Sequence, residues 1–149
     1  MIELAEVARR VQAAHGRIPL LTLDEFFDGN AEEESIAPTQ VGYGRPDLAE
    51  IHRRLALLEA DSDVAWIRVE LHHDMSGLTT DTIEDDYDGV AAESIAICTS
   101  ASTHDLETRL GADDLQSDVV IEGLSYDRDR FCDIPPIPDG FRVTTLVWD

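Results

Sequence analysis

Midway along the chain the spacing of apolar residues changes from helical to extended. Leu48, Ile51, Leu55 and Leu58 recur at intervals of three and four, forming one stripe of an α-helix, and Pro46 suits that helix's first turn. A few residues later Ile67, Val69 and Leu71 alternate with Arg68 and Glu70, the period of a strand with one buried face. A chain carrying both periods in neighbouring segments can hide its apolar surfaces by laying helices on a sheet. The same reading places a helix over Glu3–His15, with Gly16 behind it as a C-cap. A short helix opens at Thr22, whose side chain faces Glu25 in a capping box. Further strands are expected at Glu93–Thr99, Asp118–Glu122 and Phe141–Trp148, and a helix from Ser102 to Leu110 ends at Gly111. Tyr126–Asp139, with Pro135, Pro136 and Pro138, reads as an irregular loop. The expectation is one α+β domain over residues 1–149, a two-layer sandwich. Its mostly antiparallel four-stranded sheet carries helices on one face.

The second constraint is charge. Among the 149 residues, 32 are Asp or Glu and 11 are basic, all of them Arg, for a formal net charge of −21. Hydrophobic residues still make up 43% of the chain, so a core is within reach. Such acidity argues against binding nucleic acid by phosphate neutralisation, which needs a basic face. It fits solubility, adaptation to salt, or recognition of a basic protein partner. No stretch is long and apolar enough to span a membrane, and the acidic N-terminus does not resemble a secretory signal. A cytoplasmic location is the resulting expectation.

Several segments suggest chemistry, and each has a plainer explanation. Glu84 to Gly89, including Asp85, Asp86, Tyr87 and Asp88, resembles the first half of a calcium loop, but the twelfth position is Ile95 and flanking helices are missing. A solvated acidic loop accounts for it better. His72, His73 and Asp74 form the most suggestive metal triplet, yet adjacent strand residues point to opposite faces. Convergence therefore requires the strand to end there. Setting His73 opposite Glu93 places Cys98 opposite Arg68, about 16 Å from the histidines, too far for a Cys–His nucleophile. Ser100 and Ser102 lack the glycines of a nucleophile elbow, and Gly42-x-Gly44 lacks the context of a dinucleotide loop. No cofactor is implied. Arg45, framed by Gly44 and Pro46, can anchor a partner or pair with a local carboxylate. Phe26 and Phe27 are consecutive, so one of them, Phe26, is expected to serve as a surface anchor.

The segments IPLLTLDEFF (18–27), SIAP (35–38), GYGRP (42–46) and the closing Val147-Trp148-Asp149 resemble an uncharacterised family of small acidic bacterial proteins. In size and charge the chain is also similar to the immunity proteins of bacterial toxin systems. The resulting expectation is a non-enzymatic module that binds a basic partner, conceivably a toxin. Its contacts would come from Phe26, Glu32, Glu33, Glu34, Arg45, Asp85, Asp86, Tyr87 and Asp88. The alternatives are a small metal-dependent hydrolase built on His72, His73 and Asp74, and a salt-adapted accessory domain.

Overall fold

The computed structural model describes residues 1–81 and 89–148. The acidic segment Asp85, Asp86, Tyr87 and Asp88 lies outside the described residues. The fold is α+β. Five α-helices are described: α1 (Leu4–Ala13), α2 (Leu23–Phe27), α3 (Leu48–Glu59), α4 (Thr103–Leu110) and α5 (Ala112–Leu115). Strands β2 (Val64–Leu71), β3 (Ala92–Thr99), β4 (Val119–Glu122) and β6 (Arg142–Val147) form an antiparallel sheet in the order β2-β3-β6-β4. A smaller parallel pair joins β1 (Ile18–Pro19) to β5 (Phe131–Cys132), inside the segment expected to be irregular. Leu21 continues from β1 and pairs with Val69, covering the outer edge of β2. An uncovered edge would be a template for aggregation.

The α3 stripe is buried as its spacing requires, with Leu48, Ile51, Leu55 and Leu58 all inside. Its N-cap is Asp47, which accepts from the amide of Glu50 at 2.8 Å, so Pro46 precedes the helix and does not occupy its first turn. The Thr22–Glu25 capping box forms in both directions. Ile67, Val69, Leu71, Ile95, Ile97 and Leu146 face the helices in the main core. The opposite sheet face is also covered. Trp66, Ala96, Cys98 and Val143 pack under Leu124, Ile137 and Phe141, and the Trp66 indole donates to the Pro136 carbonyl at 3.0 Å. The Pro-rich segment thus acts as a lid on this part of the sheet, and Glu70, which alternation alone would leave exposed, is fully buried against Ser94 and Ser125.

Two anchor candidates are internal, Phe26 against expectation and Arg45 through the local carboxylate pairing it was also expected to make. Phe26 and Phe27 are both buried, because α2 packs on both α3 and β2 and each ring finds its own cover. The two rings meet edge to face at 5.0 Å, and Phe27 also stacks on His52 at 5.1 Å. Arg45 is likewise internal, its side chain only 2% exposed. Its guanidinium donates to the carbonyls of Glu33 (2.8 Å) and Ile36 (2.7 Å) and to the Glu33 carboxylate. The Glu33 carboxylate also accepts from the Leu48 amide at the start of α3, where the helix dipole favours negative charge. Gly44 helps hold this loop: its φ is +106°, and a Cβ there would sit 2.6 Å from the Gln116 amide nitrogen.

Replacing Arg45 with Ala leaves two carbonyls and a half-buried carboxylate without their donor. Unfolding in urea is expected to show a loss of about 2–3 kcal/mol, with Arg45→Lys recovering only part of it because one ammonium cannot fork. The exposed carboxyl of Glu50 is held down at about 2 by hydrogen bonds from Arg53 and then Arg54. That depressed value means its contribution is complete above the ordinary carboxylate range and is lost as pH falls through about 2. The melting-temperature gap between the parent and Glu50→Gln is therefore expected to be constant above pH 5 and to close toward pH 2.

Candidate functional site

The site grows out of an irregularity in the β2–β3 ladder. Glu70 pairs with Ser94, but Leu71 pairs with Ala92, so Glu93 is the extra residue of a bulge. A bulge re-aims the side chain it carries. At the same level β2 stops, and the chain turns into a 3-10 helix over His73–Gly77. The histidines are therefore no longer on alternate faces. Their rings stack with centroids 4.2 Å apart.

His72, His73 and Glu93 consequently converge, with one ligand-type atom from each lying within 4.8 Å of the others. Glu93 Oε2 is 3.3 Å from His73 Nδ1 and 3.9 Å from His72 Nε2. Asp74 stands on the other side of both rings. Its Oδ1 is 3.3 Å from His73 Nε2 and its Oδ2 is 3.5 Å from His72 Nδ1, while its amide donates to His72 Nδ1 at 3.2 Å. The triplet read from the sequence is thus rearranged: Glu93 joins the two histidines, and Asp74 supports them from behind. The one available signal for Glu93 was its place opposite the histidines in the expected hairpin. The observed register is shifted by two residues, with Cys98 opposite Trp66. Cys98 is buried and its thiol is pushed up by burial. Cys132 is half-buried and is pushed up by burial and by Asp133. Neither has the lowered pKa of an activated nucleophile.

Behind the cluster lies a buried polar network. The Ser94 hydroxyl donates to Glu70 at 2.7 Å and sits 2.8 Å from the Ser125 hydroxyl, and the Ser125 amide also donates to Glu70 at 3.3 Å. Burial pushes the Glu70 carboxyl up, partly offset by these donors. Tyr126 closes the side, with its hydroxyl 3.3 Å from His73 Nδ1. Burial and the Glu93 carboxylate raise it to about 12, so it remains a neutral phenol at physiological pH.

In front of the cluster, His72 and Asp74 form part of the wall of an open groove of about 780 Å³. Ile2, Leu4, Met75, Val90 and Ala91 give it an apolar floor. Glu3, Glu32, Glu34 and Asp74 ring it with carboxylates, and none of the described residues lining it is an arginine. Of the acidic run near position 33, Glu32 and Glu34 are exposed at this groove, whereas Glu33 is committed to Arg45. A separate hollow of about 900 Å³ collects Arg9, Arg10, Arg17 and Arg128.

With this geometry in view, one family model matches residues 2–146. The chain belongs to the uncharacterized protein YfbO family. The match takes in the IPLLTLDEFF, SIAP and GYGRP segments, whose residues here form the α2 capping box, the Arg45 anchor and the loop around it. In this family member those motifs hold the fold together, and the SIAP segment also reaches the site: Ser35 lines the groove and Ile36 bridges to Ala92, next to Glu93. Nothing among curated proteins or solved structures matches the chain. No described helix is long and apolar enough to cross a membrane.

Because Glu70 is buried, losing a donor to it is costly. Ser94→Ala is expected to lower stability in urea unfolding by about 1–3 kcal/mol, the range for leaving a buried acceptor without its donor.

Proposed function

We propose that the protein is a non-enzymatic binding module whose acidic groove receives a basic, amphipathic segment of a partner protein. The observation that supports this most is the pairing of an apolar floor with the exposed carboxylates of Glu3, Glu32 and Glu34, with no arginine among the described lining residues. Guanidinium or ammonium groups of a partner satisfy such a rim, and apolar side chains between them bury against Met75 and Val90. Charge alone does not hold a complex at physiological salt, where screening sets in at about 8 Å, so the floor supplies residence and the rim supplies encounter rate. Neutralising a basic toxin in the cytoplasm, as an immunity protein does, is a setting this chemistry suits.

A salt-adapted accessory domain would spread its acids without regard to a groove. The gathering of Arg9, Arg10, Arg17 and Arg128 around a different hollow favours recognition over uniform hydration. The metal-hydrolase reading loses Asp74 as a direct ligand, since both its oxygens face the outer ring nitrogens.

Titration calorimetry with a synthetic peptide alternating arginine and leucine tests the reading directly. Binding is expected at low salt, at least about tenfold weaker for the double variant Glu32→Lys/Glu34→Lys. The same charge change made as Glu107→Lys/Glu122→Lys is expected to leave the affinity within about twofold. Equal weakening by both pairs would reduce the interaction to overall charge and overturn the groove as its site.

A further inference from the structure

We propose that His72, His73 and Glu93 form a binding site for a divalent transition ion of the zinc type, with Asp74 positioning both imidazoles. This goes beyond the groove reading and does not depend on it. The first support is spacing. Tetrahedral coordination at about 2.0–2.1 Å requires ligand atoms roughly 3.3 Å apart. Glu93 Oε2 lies 3.3 Å from His73 Nδ1 and 3.9 Å from His72 Nε2, and the three ligand atoms all lie within 4.8 Å of one another, so rotation of the stacked histidine rings brings the set around one ion.

The second support is the division of the ring nitrogens. One nitrogen of each histidine faces Glu93, and the other faces a different oxygen of Asp74, at 3.5 Å for His72 and 3.3 Å for His73. Histidines that ligate metals characteristically donate their remote N–H to a carboxylate, which fixes the tautomer and raises the basicity of the ligand nitrogen. Here one carboxylate serves both rings. In the metal-free chain the Asp74 amide donates to His72 Nδ1, which keeps the His72 proton on Nε2. Binding therefore moves that proton to Nδ1, where Asp74 Oδ2 accepts it.

The third support is an orphan. Glu93 Oε1 is buried and has no hydrogen-bond partner, although the side chain as a whole is 14% exposed. A buried carboxylate oxygen without a donor is costly, and an ion held by both oxygens of Glu93 offsets that cost. Two imidazoles and one carboxylate select borderline ions such as Zn²⁺, Co²⁺ and Ni²⁺ over the oxygen-seeking Ca²⁺ and Mg²⁺. His72 also belongs to the groove wall, so a bound ion sits at the groove's edge.

The decisive experiment uses the full chain stripped of metal with a chelator and titrated with Zn²⁺ alone, following imidazole nitrogens by ¹H–¹⁵N NMR. One equivalent is expected to leave His72 Nε2 and His73 Nδ1 as the nitrogens without a proton, with the N–H on His72 Nδ1 and His73 Nε2, and to leave His15, His52 and His104 in place. Calorimetry is expected to give a stoichiometry of one, an affinity loss of at least about 100-fold in His73→Ala, and a loss of about 10–100-fold in Asp74→Asn. Excess Ca²⁺ is expected not to displace the ion. An N–H retained on His72 Nε2 and on His73 Nδ1 at saturation would put the ion on the opposite nitrogens, on the Asp74 side, and overturn the assignment. Shifts at other histidines, no binding, or ready displacement by Ca²⁺ would overturn it as well. The NMR readout needs no variant, so it stands even if a substitution impairs folding.

Discussion

The antiparallel ladder between β2 and β3 sets where everything else goes. Its inner face carries the isoleucines and valines on which the helices rest, and its outer face carries Trp66 and Cys98 under the Pro-rich lid and the buried Glu70 network with Ser94 and Ser125. At one end the ladder gains a residue in β3 and loses its partner strand. That single irregularity turns Glu93 toward the place where His72 and His73 come off the strand. A regular ladder would have pointed the two histidines to opposite faces. The fold and the candidate site thus share one cause, which is why the polar cluster sits directly against the best-packed part of the protein.

Charge is distributed with similar economy. Several arginines are used internally: Arg45 with Glu33, Arg10 with Glu6 and Glu25, Arg54 with Glu50, and Arg109 with Asp61, Asp63 and Asp105. With eleven cations against 32 acids, pairing by a few arginines leaves most carboxylates uncompensated. Where exposed carboxylates such as Glu32 and Glu34 border an apolar floor, the surface becomes selective as well as soluble. The carboxylates near Arg9, Arg10 and Arg17 lie in a different electrostatic environment from those at the groove.

Local elements were legible because their physics is local. The Thr22–Glu25 box, the α3 stripe, the Ser102 cap and the end of α4 at Gly111, with φ of +65°, all rest on contacts within a few residues. The register was not legible: pairing His73 with Glu93 assumed a regular ladder, and a bulge cannot be read from alternation in one strand. Phe26 misled for a related reason. Two adjacent aromatics on a helix look unable to share one buried face, but α2 is covered from two directions. Glu70 looked exposed because its cover arrives from residues more than fifty positions away.

By itself, then, the sequence determined the class of fold, the longer helices and strands with several of their caps, and the excess of negative charge. These follow from periodicity, capping and composition, which act over short stretches of chain. Only the tertiary structure decided that Arg45 and Phe26 are internal, that Glu32 and Glu34 share a groove with His72 and Asp74, and that Glu93 completes the histidine cluster. Those outcomes depend on which distant segments cover which faces and on one extra residue in a ladder, and packing of the whole chain alone selects among such arrangements.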